Sequence, residues 1–212
     1  MPSTTPSVLL KPPFRWAKPE DCYDIAELFS ISSGGVADYV WSTLGIPDLS
    51  LLEIGEQRYA REDTEFSYQN CVVAEIDDEL AGMMVSFQIE KSEAEPAGPA
   101  ASAGGEPDVL APYRDLEVPG SYYICGVALL PRYQGQGLGT RMCEIAKNLA
   151  RARNCGELSL LVFEQNMGAV RLYERLGFKE IDRRAVVPHE LIRYTGDVLL
   201  MTTPVAVGAG GR

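Results

Sequence analysis

The sequence predicts an α/β domain built on a mixed sheet, and three observations predict it. Two strongly apolar runs, residues 122–130 and 158–163, bracket a glycine-rich turn and an amphipathic stretch, and a helical crossover of that kind joins parallel neighbours. Upstream, the apolar and β-branched runs 70–75 and 80–89 meet at Asp77-Asp78 and read as a hairpin, so antiparallel strands flank the parallel pair. The length of 212 residues, 46% apolar and 23% charged, suits one domain with an insertion and excludes global disorder.

In chain order, residues 8–16 form a first strand, held to an edge or bulge by Pro12 and Pro13, which lack an N–H. Pro19, Glu20 and Asp21 open a helix whose apolar face is Ile25, Leu28 and Phe29, and Gly34-Gly35 stops it. A second helical region covers 36–44, breaks at Gly45-Ile46-Pro47, and resumes after Asp48 as N-cap through Leu49, Leu52, Ile54 and Tyr59. The hairpin follows. Residues 90–107 are rich in Ala, Gly, Pro, Ser and Glu, bury too little to order themselves, and are expected to form a mobile loop. The central strand is 122–130; the helix 140–153 presents Met142, Ile145, Ala146 and Leu149 on one face, and residues 154–156 end it. Strand 158–163, helix 167–176 with its stop at Gly177, and strands near 178–187 and 197–203 complete the pattern. The expected layout is an N-terminal segment 1–13, a domain 14–203 with a flexible insertion at about 90–108, and a disordered tail 204–212.

Five widely spaced cysteines without a CxxC pair, beside a single histidine, argue for reduced thiols and against a structural metal; no metal is expected. No window holds about 18 uncharged apolar residues, and the opening residues put no positive charge before a short apolar run, so neither a membrane span nor a signal peptide is expected. These features point to a cytoplasmic protein. The net charge of −11 is uneven: residues 1–120 hold 7 basic and 22 acidic residues, residues 121–212 hold 12 and 8. An acidic first half disfavours nucleic acid and suits a cationic partner, although solubility alone accounts for it equally well. The basic second half suits a phosphate-bearing ligand.

The turn Gln134-Gly135-Gln136-Gly137-Leu138-Gly139-Thr140 lies between a buried strand and a helix start, where free N–H groups and the helix dipole attract anions. A P-loop would need a lysine after its last glycine, and a dinucleotide fingerprint counted from Gly135 would need a glycine where Thr140 stands. What matches is Q-x-x-G-x-G at Gln134, Gly137 and Gly139. A second block, N-x-x-A-x-x-L-Y-x-x-x-G-F, follows at Asn166, Ala169, Leu172, Tyr173, Gly177 and Phe178. Together they resemble the GCN5-related N-acetyltransferase (GNAT) superfamily.

The resemblance implies a single domain with a twisted, mostly antiparallel mixed sheet, a central splayed parallel pair and about four flanking helices. It also implies acetyl-CoA as co-substrate and direct transfer to a primary amine. Val127 and Leu129 would hold the pantetheine arm through their backbones, with the Val127 N–H as oxyanion donor. The amides of Gly135, Gln136, Gly137, Leu138, Gly139 and Thr140 would take the pyrophosphate, with Gln134 beside them. Asn166 would bond the pantetheine and Tyr173 would protonate the sulfur; each also has a structural role available, as helix N-cap and core residue respectively. Cys125 would be a packing residue.

Family members often carry a base on the central strand, and this strand has no carboxylate; Tyr123 stands near that place. Glu164, Glu117 and a water relay through Tyr122 or Tyr123 are the candidates, with His189 behind them. Trp41, Tyr39 and Tyr59 beside many acids suggest a small cationic amine as acceptor. A protein or peptide acceptor and a non-catalytic acyl-CoA-binding module are the alternatives. The apolar run 198–201 is a possible homodimer surface.

Overall fold

The computed structural model describes residues 8–90 and 107–207. β1 (Phe14–Trp16) is shorter than the expected strand, because the preceding prolines offer no donors to a ladder. A 3₁₀ turn at Pro19–Asp21 then leads into α1 (Cys22–Ser32), α2 (Val36–Thr43) and α3 (Leu51–Tyr59). The start of α3 differs from expectation: Asp48 is in a left-handed conformation (φ 65°), and Ser50 is the cap, accepting from Glu53 N while Glu53 reaches back to Ser50 N at 2.7 Å. β2 (Cys71–Ile76) and β3 (Glu79–Gln88) form the hairpin, turning at Asp77 and Asp78, both at positive φ.

After the one-turn α4 (Ala111–Arg114) come β4 (Tyr122–Leu129), α5 (Leu138–Ala152), β5 (Glu157–Phe163) and α6 (Met167–Arg175), then β6 (Lys179–Ala185) and β7 (Asp197–Pro204). Among the described residues, six α-helices therefore stand where about four were expected. The expected mobile loop lies outside the described residues except at its ends, and so does the end of the tail. Its start is ordered: Pro204 belongs to β7, and Val205 is buried with its N–H on Gly156 O at 2.8 Å.

Among the described residues, seven strands run in the order β1-β2-β3-β4-β5-β7-β6, and of these pairs only β4 and β5 are parallel. One face, with Val72, Ala74 and Met84, packs on Met142, Ala146 and Leu149 of α5. The other, with Val73, Met83 and Val85, packs on Ile25 and Phe29 of α1, Trp41 of α2 and Ile54 and Tyr59 of α3. The run 198–201 is an interior part of β7, paired on one side to β5 and on the other to β6, and all four residues are buried. It offers no dimer face, since its strand edges and side chains are used within the chain's own sheet. Among the described residues, no helix is long and apolar enough to cross a membrane.

Candidate active site

The site begins with one residue too many. β4 pairs with β3 so that Gly126 faces Val85 while Ile124 faces Ser86, which leaves Cys125 as the extra residue of a bulge. β4 and β5 stay paired only from Tyr122–Leu158 to Ile124–Leu160, although β4 continues to Leu129 and β5 to Phe163. Past the bulge the two strands part and leave a gap. The Leu130 N–H donates to Ala81 O of β3 at 2.9 Å, so strand alternation turns the N–H groups of Val127 and Leu129 the other way, into the gap. The Gln134 side-chain amide donates to Leu129 O at 3.0 Å, so this glutamine braces the gap's edge and is not a free phosphate donor.

At the end of the gap, Gly135 and Gly137 have φ of 73° and 81°, a conformation L side chains rarely adopt. A Cβ at either position would meet nothing within 4 Å, so the chain's own packing does not demand glycine there; the left-handed backbone does. Gly137 is the N-cap of α5 and has no side chain to bond the first turn, so α5 begins at Leu138, two residues before the expected start. The N–H groups of Leu138, Gly139 and Thr140 belong to that first turn and have no acceptor within the helix. The Gln136 side chain turns back to Arg132 O at 2.9 Å. Exposed backbone donors at a helix N-terminus fit a pyrophosphate, and the adjoining gap fits an extended arm.

A cavity of about 660 Å³ joins the gap to the helical side of the sheet. Val127, Leu129, Gln134, Asn166, Tyr173 and Tyr123 line it, as do Trp41 and Tyr59, whereas Tyr39 does not. Tyr173 is buried, its ring 5.7 Å from that of Phe178, and burial holds its phenol well above the ordinary value, so it keeps its proton at neutral pH. Asn166 caps α6, its side chain accepting from Ala169 N at 3.3 Å, and also faces the cavity. Burial likewise raises the Cys125 thiol, which leaves it a poor nucleophile.

The base candidates separate by position. Glu164 is not among the cavity residues: it accepts from Asp197 N at 3.1 Å and lies 3.6 Å from Arg183, holding the start of β7. His189 is also elsewhere, its ring 4.6 Å from that of Tyr39 and its Nδ1 accepting from Leu191 N. Tyr122 turns to Ser86. Tyr123 faces the cavity, but burial raises its phenol well above the ordinary value, so it can relay a proton and cannot rest as a phenolate. Glu117 lines the cavity at its exposed mouth; desolvation, then the neighbouring Glu65, raise its pKa.

Glu65 itself, and the aromatic wall around it, escaped the sequence reading. Rings run edge to face from Tyr59 to Phe29 (5.5 Å), Phe66 (6.0 Å), Phe87 (5.8 Å) and Tyr123 (5.7 Å). Opposite, Phe163 stacks on Tyr194 at 4.5 Å and meets Tyr113 at 6.2 Å. Among the described residues, the buried hydroxyls of Tyr59 and Tyr113 have no hydrogen-bond partner. The α1–α2 turn and the β6–β7 loop close one side: Arg193 N donates to Gly34 O at 2.9 Å, and the Arg193 guanidinium reaches Ser30 and Asp38. Gly35 has φ 97°, and a Cβ on it would stand 1.8 Å from Leu191 O, so only glycine permits this contact. Among the described residues, no group of three or more His, Cys, Asp or Glu is placed to hold a metal ion.

The model of the acetyltransferase (GNAT) family matches residues 40–178. Among curated proteins, the chain is 45% identical over 49 residues to the spermine/spermidine N(1)-acetyltransferase of Bacillus subtilis, covering 23% of this chain and 32% of that protein. It is 33% identical over 118 residues to the mycothiol acetyltransferase of Acidothermus cellulolyticus, covering 56% and 32%. These matches thus span about a third of each relative's length. The fold is similar to that of the ribosomal-protein-S18-alanine N-acetyltransferase from Escherichia coli, with a TM-score of 0.57 and 17% identity over 94% of this chain and 97% of that one.

Proposed function

This chain belongs to the acetyltransferase (GNAT) family, and on that premise we propose that it transfers the acetyl group of acetyl-CoA directly to the primary amine of a small molecule. The observation that carries the reading is the gap opened by the Cys125 bulge, which connects a helix N-terminus rich in free amides to a cavity lined by Tyr173 and Glu117. The glycine turn supports binding of the pyrophosphate by amides 135–140. The Val127 and Leu129 backbones, turned into the gap, support strand-like pairing with the pantetheine arm.

An ordinary alkylamine near pKa 10.4 is almost fully protonated at neutral pH and must lose a proton to attack. Glu117 is assigned as the base, directly or through water and Tyr123; desolvation and Glu65 raise its pKa above the ordinary carboxylate value, toward that of the proton it would take. The Val127 N–H takes the charge that develops on the carbonyl oxygen. Tyr173, held protonated by burial, supplies a proton to the departing sulfur. The raised Cys125 thiol supports direct transfer over an acyl-enzyme.

Two features support a small acceptor. The Gly34–Arg193 contact ties the α1–α2 turn to the β6–β7 loop beside the cavity residues Ser33 and Tyr194, and the cavity volume suits a small ligand. The name of the Bacillus relative specifies amines of that size. The test is transfer from labelled acetyl-CoA to a panel of small amines and short peptides, with mass spectrometry of the products. Acetylation of a free amine is the expected result; faster acetylation of peptides than of free amines of matching charge would reject the small-molecule reading.

A further inference from the structure

We infer that the acceptor is a monoamine with an aromatic or apolar body, not a polyamine; this rests on the acetyltransferase reading and narrows its substrate class. Among the described residues, the cavity wall carries four charged side chains, Arg58, Arg114, Glu65 and Glu117, which sum to zero. The described part of the wall therefore carries no net charge, although the chain's first half is acidic. The two carboxylates share this wall, with the Arg114 guanidinium also acting on Glu117. Glu65 is close enough to Glu117 to act on its ionisation, and they bear on Cys125 and Tyr123 respectively, beside the bulge. One ammonium is served there, next to the reacting centre.

Among the described residues, the wall has no further carboxylate for a second or third ammonium. It offers instead a run of edge-to-face rings, Tyr123, Phe87, Phe66 and Phe29. A polycation would have to leave water for this wall with one charge matched and the others not, whereas an aromatic or apolar body gains contact along it. A lone cation over a ring face would recover part of that loss, but the rings here meet edge to face in a packed wall and form no cage around a point.

The experiment compares 2-phenylethylamine with spermidine and cadaverine by initial rates of CoA thiol release. It also measures binding of each amine by calorimetry to protein saturated with desulfo-CoA, which cannot donate an acetyl group. The expected result is a kcat/KM at least tenfold higher for 2-phenylethylamine, with binding in the same order. Phe66→Leu, a mild change on the ring wall, should raise KM for 2-phenylethylamine several-fold with a smaller effect on kcat. Faster acetylation of spermidine overturns the inference and leaves the acetyltransferase reading standing. Binding of 2-phenylethylamine in preference to spermidine without turnover of any amine supports the cavity's ligand class and counts against the enzymatic reading. Preferential binding of the polyamines, or no selectivity in binding or rate, overturns the inference.

Discussion

Glu117→Gln tests the chemistry most directly. The side chain is exposed at the cavity mouth, so the isosteric change should leave stability within about 0.5 kcal/mol. It removes the one carboxylate that the sequence singled out as a base candidate and the cavity retains. At pH 7 an amine of pKa near 10.4 is only about 0.04% free base, so an enzyme without a base must wait for that fraction. A positioned base contributes at least about 10²-fold, or roughly 2.7 kcal/mol of barrier at 1.36 kcal/mol per decade. The ratio of wild-type to variant kcat/KM should therefore be about 100 at pH 7. Above about pH 8 it should shrink, as free amine increases tenfold per pH unit.

On the acid side the sign follows from the raised pKa. Glu117 acts as carboxylate, so the wild-type advantage disappears as pH falls through its pKa, which partial desolvation and Glu65 set above the ordinary carboxylate value. Glu65→Gln should move that acid limb to lower pH by removing the like charge. The assay is thiol release across pH 5 to 10 at subsaturating amine and saturating acetyl-CoA. A wild-type to variant ratio within about threefold at pH 7, with chemistry rate-limiting, would refute the assignment and return the base to a water relay.

Three further outcomes are expected. Tyr173→Phe keeps the ring packed on Phe178 and so should leave Tm and CoA affinity unchanged while kcat falls about 10²-fold; an unchanged kcat in single-turnover measurements rules out the proton donor. Gly137→Ala forces an L side chain to φ 81° without a clash, costing about 1–2 kcal/mol, a Tm drop of several degrees. Its CoA dissociation constant should rise at least tenfold by calorimetry as the turn's amides are displaced, and an unaltered constant would place the pyrophosphate elsewhere. Tyr59→Phe removes a buried hydroxyl without a partner and should be neutral or stabilising by up to about 1 kcal/mol; a loss larger than that in denaturant unfolding would mean the hydroxyl is bonded in solution.

The parts of the fold legible in the sequence are those specified by neighbours in the chain. The Asp77-Asp78 hairpin, the central strand and the α5 face of Met142, Ala146 and Leu149 follow from short-range periodicity and turn chemistry. The Ser50-x-x-Glu53 capping box was equally local, yet Asp48 drew attention from it by being a good cap two residues too early. What the sequence did not show depended on pairing between distant segments. Glu164 follows the end of β5 and looked like a base candidate, but β7 lies alongside and takes its carboxylate at Asp197 N. The run 198–201 looked like an outer surface until β6, earlier in the chain, folded back to cover its far edge.

The same distinction divides the site itself. The acyl-CoA half proposed here is made of backbone: amides freed by Gly135 and Gly137, and N–H groups of Val127 and Leu129 exposed by one extra residue at Cys125. Backbone sites demand particular residues at fixed local spacing, so they leave motifs. The acceptor half is made of side chains drawn from α1, α2, α3, α4, β3, β4, β5 and the loops before β2, β4 and β7. No spacing links Glu65 to Glu117 or Phe66 to Phe87; each lies where its own element leaves it, and the sheet brings them together. Changes at Phe66, Phe87 or Tyr194 can therefore alter the choice of amine without disturbing the turn or the bulge. Substitutions that exchange one acceptor for another should concentrate on these walls, while those that abolish CoA binding should concentrate at residues 135–140.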